Sequence, residues 1–227
     1  MKTGLIATLA IARKDLMTEL RTKESINAAA SFSLVILVLF SFAFDLDRQT
    51  WLEISGGLLW LVYSFAGALI VNRSFSRELP NDCLDGLIAS PIPASALFLG
   101  KAVANFALLL AVEVVSIPVF GLFYDVHWGG QFWGLVLVTL LGTWALTVIG
   151  TFFSALTVNL RMRELMLPTL VYPLMIPALM AAMKLTTDLL SGTPIGGDNV
   201  FGLKLLVGFD FIFTALSVMM IDTVLVG

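Results

Sequence analysis

With 227 residues, 59% of them hydrophobic and only 13% charged, the chain is too apolar to cover a soluble surface. The bilayer is its natural solvent, and one membrane domain is the expected organisation at this length. A formal charge of −3 says little as a sum, but the single cysteine, Cys83, excludes an internal disulfide, a CxxC pair and a Cys-rich zinc site. The single histidine, His127, likewise excludes HExxH and any histidine-rich metal cluster.

The first 25 residues carry Leu5, Leu9, Ala12, Leu16 and Leu20 at helical spacing, with Arg13, Lys14, Glu19, Arg21 and Lys23 mostly elsewhere. Glu19 and Lys23 stand four apart in the favourable order. This pattern predicts an amphipathic helix in the headgroup layer rather than a cleavable signal. Its stretch ELRTKE (19–24) is either a lipid contact or a docking element.

Six apolar segments follow, each near the roughly 20 residues a spanning helix needs. They are 27–44, 52–72, 96–122, 132–157, 165–183 and 201–225. The fifth holds Pro168, Pro173 and Pro177, which predicts a kinked or broken helix inside the bundle. In the fourth, Gly134, Gly142 and Gly150 permit close helix approach. Ten of the 13 basic residues fall in 1–25, 73–101 and 158–164, and only Arg48, Lys184 and Lys204 fall on the other side. By the positive-inside rule both termini are cytoplasmic.

The loop RELPNDCLDGLIASPIP (77–93) interrupts this hydrocarbon. Pro80 stops the helix before it. Asp82 is placed as an N-cap, with Asp85 three residues on. Leu84, Leu87 and Ile88 then form one apolar face, and Pro91 and Pro93 close the segment. The loop thus encodes a two-turn helix, too short to persist alone in water. Lipid, the bundle or a partner must cover its face. A partner groove suits the acidic rim of Glu78, Asp82 and Asp85, while a capped connector with solvated carboxylates is the plainer reading. No phosphate-binding loop is present; Gly100-Lys101-Ala102 lacks the hydroxyl and the glycine spacing. Any use of ATP therefore runs through another chain.

Three stretches resemble one family. ELRTKE, FSRELPNDCLDGLIASPIPASALFLGK (75–101) and LMLPTLVYPLMIPALM (165–180) together are similar to the CcmB family, the membrane subunits of the haem exporter of cytochrome c maturation. The likeness covers nearly the whole length. Glu78, Leu84-Asp85, Ser90-Pro91 and Lys101 match the family's cytoplasmic coupling loop. The departures are Asn81-Asp82 where many relatives have Asp-Gly, Asp85 where they have Glu, and Cys83 where a small residue is usual. The resemblance implies an all-α integral membrane protein with six transmembrane helices, an interfacial helix over 1–25, and a permease-like bundle over 26–227 with its coupling loop at 73–95. It implies a cytosolic ABC ATPase partner that holds the ATP, a haem-handling membrane subunit, a periplasmic haem chaperone, and pairing with a second copy or another membrane subunit. Haem is then substrate rather than cofactor, and the site is the bacterial inner membrane. Docking of the ATPase would fall to Arg77, Glu78, Asp82, Leu84, Asp85, Leu87 and Ile88. Haem export and release of the loaded chaperone both stay open.

Two carboxylates lie away from the span ends, Glu113 in the third and Asp210 in the sixth, whereas Glu53 and Asp222 fall near the ends of theirs. Ionisable groups at that depth point to function by default. His127, between Tyr124 and Trp128, is either a haem axial ligand or an exposed histidine in an aromatic belt. The competing classes are a proton-coupled carrier using Glu113 and a non-transporting assembly scaffold. A nucleophile–base pair for enzyme chemistry is missing, since Cys83 and His127 fall on opposite sides of the membrane.

Overall fold

Long apolar runs in lipid must satisfy every backbone polar group internally, which makes them helical. The computed structural model describes residues 2–44, 47–79, 83–124, 130–158, 160, 163–197 and 199–226. Over those residues the chain forms α1 (Lys2–Thr22), α2 (Glu24–Ala43), α3 (Arg48–Ser76), α4 (Cys83–Ile88), α5 (Ala94–Phe123), α6 (Phe132–Thr157), α7 (Arg163–Leu190) and α8 (Asn199–Val226). Six of these are long and apolar enough to cross a membrane. They are α2, α3 and α5 to α8, the six expected, and the protein is a multi-pass helical membrane protein.

The middle of the bundle is α3 and α6. α3 touches α2, α5, α6 and α7, and α6 touches α3, α5, α7 and α8. Polar side chains tie neighbours across the interior. Trp60 Nε1 donates to Thr186 Oγ1 at 2.9 Å, joining α3 to α7. Trp144 Nε1 donates to Thr214 Oγ1 at 3.1 Å, joining α6 to α8. The α6 glycines serve packing as expected: a side chain at Gly142 would meet Trp60, one at Gly150 would meet Val71, and one at Gly134 would meet Leu189.

Several boundaries differ from the expectation. α7 runs unbroken through Pro168, Pro173 and Pro177, and continues to Leu190 rather than ending near 183. Its polar last turns hold because they are bonded: Thr186 takes the Trp60 indole, Thr187 accepts from the Gly56 amide at 3.2 Å, and Lys184 reaches Asp188 at 3.6 Å. α1 also departs from a single lipid-facing stripe. Ile11 and Ala12 are buried, and Leu5, Leu9 and Leu20 are exposed. The buried side crosses α5 at Gly100, where any Cβ would sit 2.8 Å from Ile11 and 2.9 Å from the Thr8 carbonyl. α1 therefore splits its apolar residues between the bundle and the outside.

Candidate functional site

At about 1.5 Å per residue, the 30-residue α5 is about 45 Å long, against roughly 30 Å of hydrocarbon. Its first turns therefore stand beyond the apolar core at the Lys/Arg-rich end of the bundle. Lys101 lies there, 1% exposed. A buried ammonium needs partners. It has three: Glu78 Oε2 at 2.9 Å, Asp15 Oδ2 at 3.2 Å, and the Ser74 carbonyl, which accepts at 2.7 Å. The ammonium also lies 4.9 Å from the Phe75 ring centre.

The network spreads from this lysine. Lys14 binds Glu78, and also Asp15 at 3.0 Å. Partial burial pulls the Lys14 ammonium down, but its bond to Glu78 and the charge of Asp15 outweigh that and leave it above the ordinary value. Arg77 pairs with Glu19 and donates to Ser25 Oγ at 2.8 Å. Glu19 is fully buried and accepts from the amides of Ser25 at 2.7 Å and Ile26 at 2.9 Å, capping the start of α2. Burial pushes its carboxyl up; the Ile26 amide and the Arg77 guanidinium more than offset this and hold it below the ordinary value. The expected Glu19–Lys23 pair is thus replaced by Glu19–Arg77. Lys23 instead occupies the left-handed junction between α1 and α2, at φ 55°. Asn105, one turn beyond Lys101, donates to Ser74 Oγ at 3.0 Å and Thr151 Oγ1 at 2.9 Å, extending the network to α6.

Three cations and three anions (Lys14, Arg77 and Lys101 with Asp15, Glu19 and Glu78) therefore lock α1, the α3 terminus and α5 together and cap α2. A cavity of about 370 Å³ lies among them, and Cys83 and Leu87 of α4 form part of its lining. The short helix α4 thus borders the same cavity as this hub.

The expected docking residues divide accordingly. Arg77 and Glu78 belong to the internal network: Glu78 is 7% exposed, so it forms no open acidic rim. Desolvating a carboxylate is favourable here only because two lysines hold it. Leu87 packs against a cluster that includes Phe75, Leu97 and Phe98, so the bundle itself supplies its cover. The backbone of Leu84, Asp85 and Ile88 lies in α4, their side chains fall outside the described residues, and Asp82 lies outside them altogether. His127 also lies outside them. Glu113 is buried, accepts from Thr143 Oγ1 at 2.6 Å through Oε1, and leaves Oε2 unpartnered. Asp210 is buried with neither oxygen partnered. Among the described residues no cluster of metal-binding side chains occurs.

Lys14, Asp15, Glu19 and Asn105 were not singled out by sequence as site residues. The usable signal was Lys101 and Asn105, four apart at the mouth of an apolar span, which demanded a counter-charge from elsewhere in the chain.

A bundle of six helices able to span a membrane, with a further helix bound to it through a buried ion-pair hub, defines a polytopic membrane protein. The family described as CcmB protein matches residues 6–225, and the chain belongs to that family. Similar proteins include Heme exporter protein B of Rhodobacter capsulatus, 32% identical over 75% of this chain and 78% of the relative. That of Haemophilus influenzae is 32% identical over 88% of this chain and 90% of the relative. That of Escherichia coli strain K12 is 28% identical over 76% and 78% respectively. The chain is thus a membrane protein of a transporter family and not an enzyme.

Proposed function

We propose that this chain is the membrane subunit of an ABC-type complex of cytochrome c maturation. It couples ATP hydrolysis in a cytosolic partner to haem export, or to release of a haem-loaded periplasmic chaperone. Family membership and the name of the similar proteins, Heme exporter protein B, support the haem assignment. In this reading the chain lies in the bacterial inner membrane with both termini in the cytoplasm, as the clustering of Lys and Arg at one end favours. It pairs with a second membrane subunit, either a copy of itself or the haem-handling protein. Residues 1–25 form the interfacial helix and 26–227 the permease domain.

The observation that carries the coupling role is the seat of α4. A six-residue helix cannot hold itself in water, yet here Leu87 packs on the bundle beside the ion-pair hub. A push on α4 therefore reaches the first turns of α5 through Leu87 and the cluster of Phe75, Leu97 and Phe98. The ATPase-facing role then falls to Asp82, Leu84, Asp85 and Ile88. Arg77 and Glu78 act behind them as tethers.

The test is co-purification of the candidate ATPase with wild type and with Asp85→Arg, after membrane levels of both are matched. Loss of the ATPase from the variant supports the reading. Equal retention by both, or retention by neither, overturns it.

A further inference from the structure

The cavity beside the hub holds more donors than the hub uses. Its lining includes three carboxylates, and every oxygen they carry is spent. Glu19 gives one oxygen to the two α2 amides and the other to Arg77. Glu78 and Asp15 each bind Lys14 with one oxygen and Lys101 with the other. A guanidinium, by contrast, offers about five N–H groups and an ammonium about three. Among the described residues Arg77 uses one guanidinium nitrogen, toward Glu19 and Ser25, and Arg73 uses one, toward Glu24. Lys14 keeps one N–H beyond its bonds to Glu78 and Asp15.

The charged groups of Lys14 and Arg77 stand at the cavity wall, because the residues they bind, Glu78, Asp15, Glu19 and Ser25, all line it. Arg73 lines it one turn before Arg77, and its bond to the exposed Glu24 is a surface pair of little worth. Lys14 and Arg73 are each nearly half exposed, so an incoming group reaches them. Unspent cationic donors call for an anion. The lining's cations and carboxylates already balance, so a single negative charge suits it better than a polyanion. Hydrocarbon from Ile70, Leu87 and Leu108 completes the wall, which suits an anion that carries apolar groups. At about 370 Å³ the space is more than twice the roughly 150 Å³ that admits benzene, enough for a phosphoglycerol group and the start of its acyl chains. Basic pockets between helices at headgroup depth are where anionic lipids are recognised. We propose that this cavity binds the phosphodiester of an anionic phospholipid of the phosphatidylglycerol class. The phosphate oxygens lie on Arg73, Arg77 and Lys14, and the glycerol esters lie against Ile70 and Leu108. An ethanolamine lipid fits less well, since among the described residues no carboxylate oxygen of the lining is left for its ammonium. The proposal rests on the bundle spanning a bilayer and not on what α4 meets.

The full chain is stripped of lipid in dodecyl maltoside, and dioleoyl phosphatidylglycerol or dioleoyl phosphatidylethanolamine is added back. The first bound lipid is measured by native mass spectrometry. A hydrogen bond to a charged group is worth about tenfold or more. Phosphatidylglycerol should therefore bind about tenfold more tightly than phosphatidylethanolamine, and Arg73→Gln should remove most of that preference. Adding Arg77→Gln should bring the two lipids to parity. Arg13→Gln with Arg21→Gln, which removes exposed charges of α1 outside the lining, should leave the preference intact. If the Arg73, Arg77 double variant does not accumulate, Arg73→Gln alone decides, because it breaks only a surface pair. Parity of the two lipids in wild type overturns the proposal. So does a preference that survives Arg73→Gln, or one that falls equally with Arg13→Gln and Arg21→Gln, which would make it a general attraction to basic α1. Excess inorganic phosphate should displace none of the bound lipid. Full displacement would make the occupant a free anion and overturn the lipid assignment.

Discussion

Replacing Lys101 by Met tests the hub directly. The substitution keeps most of the side-chain volume and removes one charge. In wild type the ammonium is 1% exposed and meets Glu78 at 2.9 Å, Asp15 at 3.2 Å and the Ser74 carbonyl at 2.7 Å. Without it, three buried or half-buried anions face two cations, and the Ser74 carbonyl loses its donor. Breaking a buried ion pair from one side costs about 3–5 kcal/mol. Lys14 still holds both Glu78 and Asp15, which argues for the lower end, about 3 kcal/mol. For a chain of this length that corresponds to a Tm about 6–12 °C lower. The assay is thermal unfolding of the detergent-solubilised protein, followed by tryptophan fluorescence. Adding Glu78→Gln restores charge balance, so the double variant should lose less than the sum of the two singles, by about 1–3 kcal/mol. A Lys101→Met change under about 1 kcal/mol, or a double variant worse than additive, would refute the claim that these charges act as one unit.

Gly142→Ala should cost about 3 kcal/mol, because the new methyl would overlap the Trp60 ring, which is itself tied to Thr186. Unfolding of Gly142→Ala alone and with Trp60→Phe checks this: the smaller ring should recover part of the loss. Glu19→Gln should destabilise at neutral pH. Since the folded carboxyl lies below its unfolded value of 4.5, the contribution of Glu19 is full above pH 4.5 and is lost as pH falls through the folded value. The gap in Tm between wild type and Glu19→Gln should therefore be constant from pH 7 to 5 and close under stronger acid. Lys14 works in the opposite sense. Its raised value makes its contribution full below pH 10.5 and lost only as pH rises past the folded value, so Lys14→Met should show its whole cost at pH 7.

The number and order of the spans were legible because hydropathy in a bilayer is a one-dimensional signal. α4 was legible too, since Pro80, Pro91 and the Leu84–Leu87–Ile88 spacing are local. What sequence reading missed depends on tertiary partners. Glu78 looked like an exposed rim charge because its neighbours in the chain are charged. Only the approach of Lys14, from 64 residues before it, and of Lys101, from α5, turns it inward. Glu19 looked like a surface i,i+4 partner for Lys23, but the left-handed junction at Lys23 brings it onto the α2 amides and Arg77. The prolines of α7 promised a kink or a break; the helix is continuous through all three, as packing inside a bundle allows.

The same contacts reassign α1. As a lipid-bound helix alone it would need only its exposed Leu5, Leu9 and Leu20. Instead it seats Ile11 against Gly100 and sends Asp15 to Lys101, two contacts one turn apart on α1 that meet adjacent residues of α5. Glu19 then fixes the start of α2 to the end of α3 through Arg77. A helix held to the first turns of α5 by Ile11 and Asp15, and to α3 through Glu19, resists movement of α5 along its own axis. A tilt of α5 about the Gly100 crossing meets less resistance, because the contact there is a single point of close approach between Ile11 and a residue without a side chain. If α4 passes on force from a partner, tilting about Gly100 is the motion this arrangement favours. Its far arm carries Asn105 and Glu113, the two rungs to α6.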